Sequence, residues 1–255
     1  MPEPRRNTAV VLAGGVGARL GDPLPKQLLP LGGRPVIEHT IAAFDGHPDV
    51  DELLVLMVPG HLDAVRNLVE RGGYRKVRDV LEGGTTRMAT TGRALAALTG
   101  RSDSSERSAE IAEDRKVLLH DAVRPLVSAR IIADCFAALD TAHAVTVAIP
   151  SSDTVVEVDG HDTITAVPSR AALRRVQTPQ GFWLSLIFDA HARAAQDAGT
   201  SGFEATDDCS VVLRYRPEVP VRVVAGEERN LKITHRTDLL VAEALRGELG
   251  DAALP

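Results

Sequence analysis

The chain has 255 residues, of which 44% are hydrophobic and 25% charged, enough to build one large cored domain or two small ones. A formal net charge of −6 and few aromatics (one Trp, two Tyr, five Phe) argue against a nucleic-acid coat or a base-stacking platform. No apolar run approaches the ~20 residues of a membrane span, and neither nucleic acid nor a membrane is expected as a partner. Cys135 and Cys209 lie far apart with no CxxC partner, which speaks against a disulfide framework or a thiolate zinc site. The opening MPEPRRN has no apolar stretch behind it, so no secretory signal is read there and a cytoplasmic setting is expected.

Short apolar runs alternate with amphipathic stretches along the chain. Residues 8–13 (TAVVLA) read as a buried strand, 35–44 as a helix with Pro35 near its start, and 52–58 as a second buried strand. A helix follows over 61–71, a strand over 77–81, and a helix opened by Gly84 that runs to about Leu98. Residues 100–114 are polar and Ser-rich and read as a mobile surface loop. A strand over 116–119, a helix over 128–139 with Ser128 as N-cap, and a strand over 144–149 complete the regular alternation. Continuous apolar strands alternating with helices predict a doubly wound, mostly parallel α/β sheet, covered on both faces, in a single domain spanning 1–255.

Residues 151–177 break the rhythm. Segments 154–158 and 163–167 flank Asp159-Gly160-His161-Asp162, which reads as a β-hairpin turn. Such a hairpin is either an ordinary edge feature or an arm gripping a second subunit. Its exposed edges are best covered by pairing, so a C2 homodimer is expected. After it come a helix over 183–198, a helical segment from Thr206, a strand over 219–224 and a terminal helix over 235–248.

Directly after the first strand stands Ala13-Gly14-Gly15-Val16-Gly17-Ala18-Arg19-Leu20-Gly21. Glycines there allow close backbone approach, and their N–H groups can cradle an anion. The dinucleotide fingerprint G-x-G-x-x-G fails because Leu20 stands at its third glycine, and no P-loop pattern is present. Arg19 and Lys26 beside the loop suit a polyphosphate, the first as a fork and the second as a point charge.

The run LAGGVGARLGDPLPKQLLPLGGRPVIEH resembles the N-terminal signature of the sugar-phosphate nucleotidyltransferases, and more narrowly the polyol-phosphate cytidylyltransferases. Further motifs match the same family: Glu82-Gly83-Gly84-Thr85-Thr86-Arg87 with Thr90, His120-Asp121-Ala122-Val123-Arg124-Pro125, Pro168-Ser169-Arg170, Thr178-Pro179-Gln180-Gly181-Phe182, Thr206-Asp207-Asp208 and Asn230-Leu231-Lys232. The resemblance covers roughly residues 9–245 and implies a nucleotide-diphospho-sugar transferase-like fold.

It also implies site roles. Arg19, Lys26 and Lys232 act on the phosphates. Ala13, Gly14, Gly15, Gly17, Glu82, Gly83, Thr85 and Thr90 hold the nucleotide, CTP. Asp121 ligates Mg²⁺, while Arg170, Thr206 and Asp207 meet a polyol phosphate. The second metal ligand is left open, with Glu228 as one option.

The reaction implied joins CMP to an alditol phosphate and releases pyrophosphate. The nucleophile is a phosphate oxygen, already dianionic near neutral pH because its second pKa is ~6, so no general base is required. His120 is accordingly read as a structural histidine. Two branches fit, one using ribitol 5-phosphate (teichoic-acid-type pathways) and one using 2-C-methyl-D-erythritol 4-phosphate (isoprenoid synthesis). AGG at the loop, HDAVRP and PSRAAL lean towards ribitol 5-phosphate. The rival readings are a nucleotidyltransferase for another base, a dinucleotide-dependent oxidoreductase and a non-catalytic binder on the same fold.

Overall fold

The computed structural model describes residues 6–14, 24–100, 114–197, 203 and 205–249. Strand β1 (Thr8–Ala13) is followed by a 3-10 turn at Lys26–Leu28, the small pair β2 (Pro30–Leu31) and β3 (Arg34–Pro35), and helix α1 (Val36–Asp45). Then come β4 (Glu52–Met57), α2 (Leu62–Gly72), β5 (Val77–Glu82), α3 (Arg87–Thr99), β6 (Lys116–Asp121), α4 (Ala129–Ala138) and β7 (Ala144–Pro150). A hairpin of β8 (Glu157–Val158) and β9 (Ile164–Ala166) precedes β10 (Arg174–Trp183), α5 (Leu184–Gln196), α6 (Asp208–Tyr215), β11 (Val221–Ala225) and α7 (Arg236–Leu249).

Seven strands form one sheet in the order β11-β7-β10-β6-β1-β4-β5, parallel except for β10. Residues of β1 alternate between two apolar cores. Ala9, Val11 and Ala13 face α1, α2 and α4, whereas Val10 and Leu12 face α3, α5 and α6. Burial on both faces is what the unbroken apolar strands demand, and each Val or Leu so removed from water contributes about 1.5–3 kcal/mol. β1 pairs with β4 on one side and β6 on the other, in register Leu12 to Asp121. The chain order reverses there, and a crevice opens beyond the carboxyl ends of the two strands.

Ser128 caps α4 as expected, accepting from the Ile131 N–H. The helix expected to open at Gly84 instead begins at Arg87, because the Thr86 side chain accepts from the Ala89 N–H and caps it there. Other boundaries fall within a few residues of expectation.

β10 was not foreseen. Its polar QTPQGF run lacks the apolar alternation of a strand and carries a proline and a glycine, both depleted in strands. It nevertheless fills the gap between β6 and β7, with a register irregularity between Val176 and Gln180 that accommodates Pro179. A Cβ on Gly181 would lie 2.7 Å from Val145 Cγ2 and 2.8 Å from Leu118 Cδ2, so only glycine lets the strand sit this deep. The expected arm is therefore shorter than 151–177, since the chain rejoins the main sheet at Arg174. Its turn is built by Asp159, whose Oδ1 accepts from the His161 and Thr163 N–H groups at 2.8 and 3.0 Å. Residues 101–113, which make up nearly all of the expected mobile loop, lie outside the described residues.

Candidate active site

The crevice at the ends of β1 and β6 holds two adjoining clefts, of about 520 and 640 Å³. Ala13, Gly14, Lys26, Thr90, Asp121 and Lys232 line the first. The second shares Arg87, Asp121 and Lys232 with it and adds Thr178, Thr206 and Asp207.

Local packing explains the floor of the first cleft. A Cβ on Gly14 would lie 2.2 Å from Thr90 Oγ1, and one on Gly83 would lie 3.0 Å from the Gly14 Cα. The two loops touch backbone to backbone because both residues are glycine. Thr90 is buried, donates to the Thr86 carbonyl at 2.8 Å and accepts from the Gly84 N–H at 3.0 Å. Its hydroxyl thus holds the loop that carries the motif.

Asp121 ends β6 with three cations around it. Its Oδ1 accepts from Arg87 Nη1, while Lys232 Nζ lies 2.9 Å and Arg124 Nε 3.7 Å from Oδ2. Burial alone would raise its pKa; the pull of Arg87, Lys232 and Arg124 outweighs this and holds the carboxyl well below the usual range. Asp121 is therefore a firmly ionised carboxylate in the cleft.

Lys232 reaches it because the strand-free segment before α7 docks on the loop after β6. Ile233 N–H donates to the Val123 carbonyl at 2.9 Å, and Arg124 Nη1 donates to the Asn230 carbonyl at 2.7 Å. Arg124 thus braces the loop. His120 is fully buried and packs against Phe44 with the rings tilted by 56°. Its Nε2 lies 3.2 Å from the Arg124 carbonyl and its Nδ1 3.1 Å from Thr178 Oγ1, which itself accepts from the Asp121 N–H. These partners assign the proton to Nε2. His120 is structural, holding the loop that presents Asp121.

Glu82, Thr85 and Arg170, also expected at the site, line neither of these clefts. Glu82 pairs with Arg93 at 3.1 Å, and Thr85 is exposed in the turn before α3. Arg170 sits on the arm, exposed, donating to Thr154 Oγ1 at 3.0 Å, and lines neither cleft of its own chain. Asp207 lines the second cleft, but its oxygens already cap α6 and accept from Gln180 Nε2 at 2.7 Å. Gly15, Gly17 and Arg19 lie outside the described residues. Among the described residues no three His, Cys, Asp or Glu side chains cluster as a metal cage. Glu228 pairs with Arg175, and Glu227 with Arg130, Arg229 and Ser128, so neither lines the clefts. Arg87 and Gln180 are the side chains whose importance sequence reasoning understated; both stand inside matched motifs, but only contacts across the fold reveal their partners.

The family model described as IspD, 2-C-methyl-D-erythritol 4-phosphate cytidylyltransferase, matches residues 8–248. The chain belongs to this family. It is a nucleotidyltransferase, a CTP-dependent cytidylyltransferase of this type. It is 50% identical to the 2-C-methyl-D-erythritol 4-phosphate cytidylyltransferase of Thermobifida fusca, over 94% of this chain and 93% of that protein. It is 38% identical, over 94% of its length, to the bifunctional ribulose 5-phosphate reductase/CDP-ribitol pyrophosphorylase of Haemophilus influenzae, of which it covers 48%. The crystal structure of 4-diphosphocytidyl-2C-methyl-D-erythritol synthase from Anaerococcus prevotii superposes with a TM-score of 0.77, at 28% identity, covering 94% of this chain and 98% of that one. Among the described residues no helix is long and apolar enough to cross a membrane.

Proposed function

We propose that this cytidylyltransferase uses 2-C-methyl-D-erythritol 4-phosphate as its acceptor, transferring CMP from CTP and releasing pyrophosphate. The observation that carries this reading is the 50% identity, over 94% of the chain, with a relative named for that acceptor. The motif variants that lean towards ribitol 5-phosphate weigh less, because the relative named for CDP-ribitol is more distant at 38%.

In this reading CTP lies in the first cleft, with its base against the Gly14–Gly83–Thr90 floor and its phosphates near Lys26. The acceptor lies in the second, beside Thr178, Thr206 and Asp207. The barrier is electrostatic, one anion attacking another, so catalysis is in-line alignment plus cationic stabilisation. Lys26 and Lys232, with Arg19 by resemblance, hold the α-phosphate and offset the charge that develops on the leaving pyrophosphate. Asp121 draws Lys232 to the junction of the two clefts.

Magnesium would be held through one carboxylate, Asp121, on the lone pairs left beside Arg87 and Lys232, with phosphate oxygens and water as its other ligands. When bound, it neutralises phosphate charge. The arm is proposed to join two copies, bringing Arg170 to the partner subunit's acceptor cleft.

The test is pyrophosphate release from CTP with each polyol phosphate in parallel. A higher kcat/KM with the methylerythritol acceptor is expected. A clear preference for ribitol 5-phosphate overturns the acceptor assignment, and turnover of neither overturns the reading of the site.

A further inference from the structure

Arg87 is the first residue of α3, and no acidic residue shares that first turn. A cation at a helix N-terminus opposes the macrodipole, so helix stability does not account for it. Its side chain lines both clefts and spans two carboxylates. Nε and Nη2 donate to Asp208 Oδ2 at 3.2 and 2.8 Å, and Nη1 donates to Asp121 Oδ1. Asp208 is itself buried, takes His191 Nε2 on its other oxygen at 3.2 Å, and donates its N–H to Gln180 Oε1 at 3.0 Å. His191 is buried on α5. A continuous polar chain therefore runs from α5 through the start of α6 and the start of α3 to the end of β6.

We propose that Arg87 is a positioning residue for the transfer, locked from behind by the buried Asp208–His191 pair so that Asp121 keeps Oδ1 engaged and turns Oδ2 to Lys232 at the junction of the clefts. The proposal rests on the cytidylyltransferase reading. Geometry supports it over a merely stabilising role. A planar guanidinium can bridge two carboxylates at fixed angles, which an ammonium cannot. Buried ion pairs are weak contributors to net stability, because desolvation offsets their attraction. Holding Asp121 at one angle holds Lys232, and a small misplacement of such a group is costly to turnover.

The experiment is a double-mutant cycle on the full chain, with kcat and both KM values measured beside thermal unfolding. Arg87→Lys should lower kcat about 10²-fold with KM for CTP little changed. Asp208→Asn, which keeps shape but loses charge, should lower kcat about ten- to a hundred-fold. The double variant should be no slower than Arg87→Lys alone, since Asp208 acts through Arg87. Near-normal turnover of Arg87→Lys, or losses that multiply in the double variant, overturns the proposal. If Arg87→Lys does not fold, His191→Gln is compared in the wild-type and Asp121→Asn backgrounds. A loss only in the former supports the chain of contacts, and an equal loss in both overturns it. A wild-type chain without turnover on any polyol phosphate overturns the cytidylyltransferase reading, and this proposal with it; multiplying losses overturn the proposal alone.

Discussion

Lys26 and Lys232 approach the same cleft from opposite ends of the chain, and their charge matters more to chemistry than to folding. Lys26→Ala and Lys232→Ala should each lower kcat by about 10²–10³, the cost of removing one transition-state donor. After Lys232→Ala, Asp121 still has Arg87 and Arg124, so thermal unfolding should move little. Near-normal turnover of either variant removes that lysine from the chemistry. His120 makes a different prediction. Burial first of all pushes its pKa down from 6.5 to about 3. Between those values the unfolded chain takes up a proton that the folded chain refuses. Stability therefore rises with pH across the window and is lost as pH falls from about 6.5. His120→Gln, which cannot titrate, should show a shallower fall of Tm between pH 7 and pH 5 than the wild type. Parallel slopes would mean that His120 does not carry the acid sensitivity.

At the scale of elements, the site is where loop ends are forced together. The loop after β1 meets the β5–α3 loop through Gly14, Gly83 and Thr90. Gly14→Ala would drive a methyl into Thr90 Oγ1, an overpacking cost of about 1–3 kcal/mol, and should lower Tm and raise KM for CTP together. Thr90→Ala added to Gly14→Ala should recover part of the Tm, whereas Thr90→Ser, which keeps the hydroxyl, should not. An undisturbed Gly14→Ala enzyme would show that the loops can part without loss. On the acceptor side the same logic runs through Gln180, whose amide ties β10 to the Asp207 carboxylate and to the Asp208 N–H at the start of α6.

Taken whole, the molecule exposes a run of apolar side chains on the arm, among them Ile164 at 60% and Val167 at 63%. Arg170 sits on the same arm, away from its own clefts. Both features fit a two-fold dimer in which each arm completes the other copy's site. Mixing Lys26→Ala chains with Arg170→Ala chains, each inactive alone, should restore about a quarter of wild-type activity, because half the dimers are mixed and each keeps one intact site. Sedimentation as a monomer at micromolar concentration, or no recovery on mixing, would show that Arg170 does not serve a partner subunit.

What the sequence determined by itself follows from local chemistry. Unbroken apolar runs require strands buried on both faces, so the doubly wound sheet, the helix capped by Ser128 and the glycine loop after β1 were legible directly. The motifs around Lys26, Thr90, Asp121, Thr206 and Lys232 were legible too, and the fold brings those five residues to two adjoining clefts. Tertiary structure alone decided the rest. β10 is a strand because β6 and β7 flank it with unpaired edges, a demand its own QTPQGF run does not advertise. Arg87 gains its two carboxylates from residues 34 and 121 positions away in the chain. Pairings at such separation arise when the backbone hydrogen bonds of a sheet and the exclusion of water leave a buried charge no other partner, and no pattern of spacing along one segment encodes that choice.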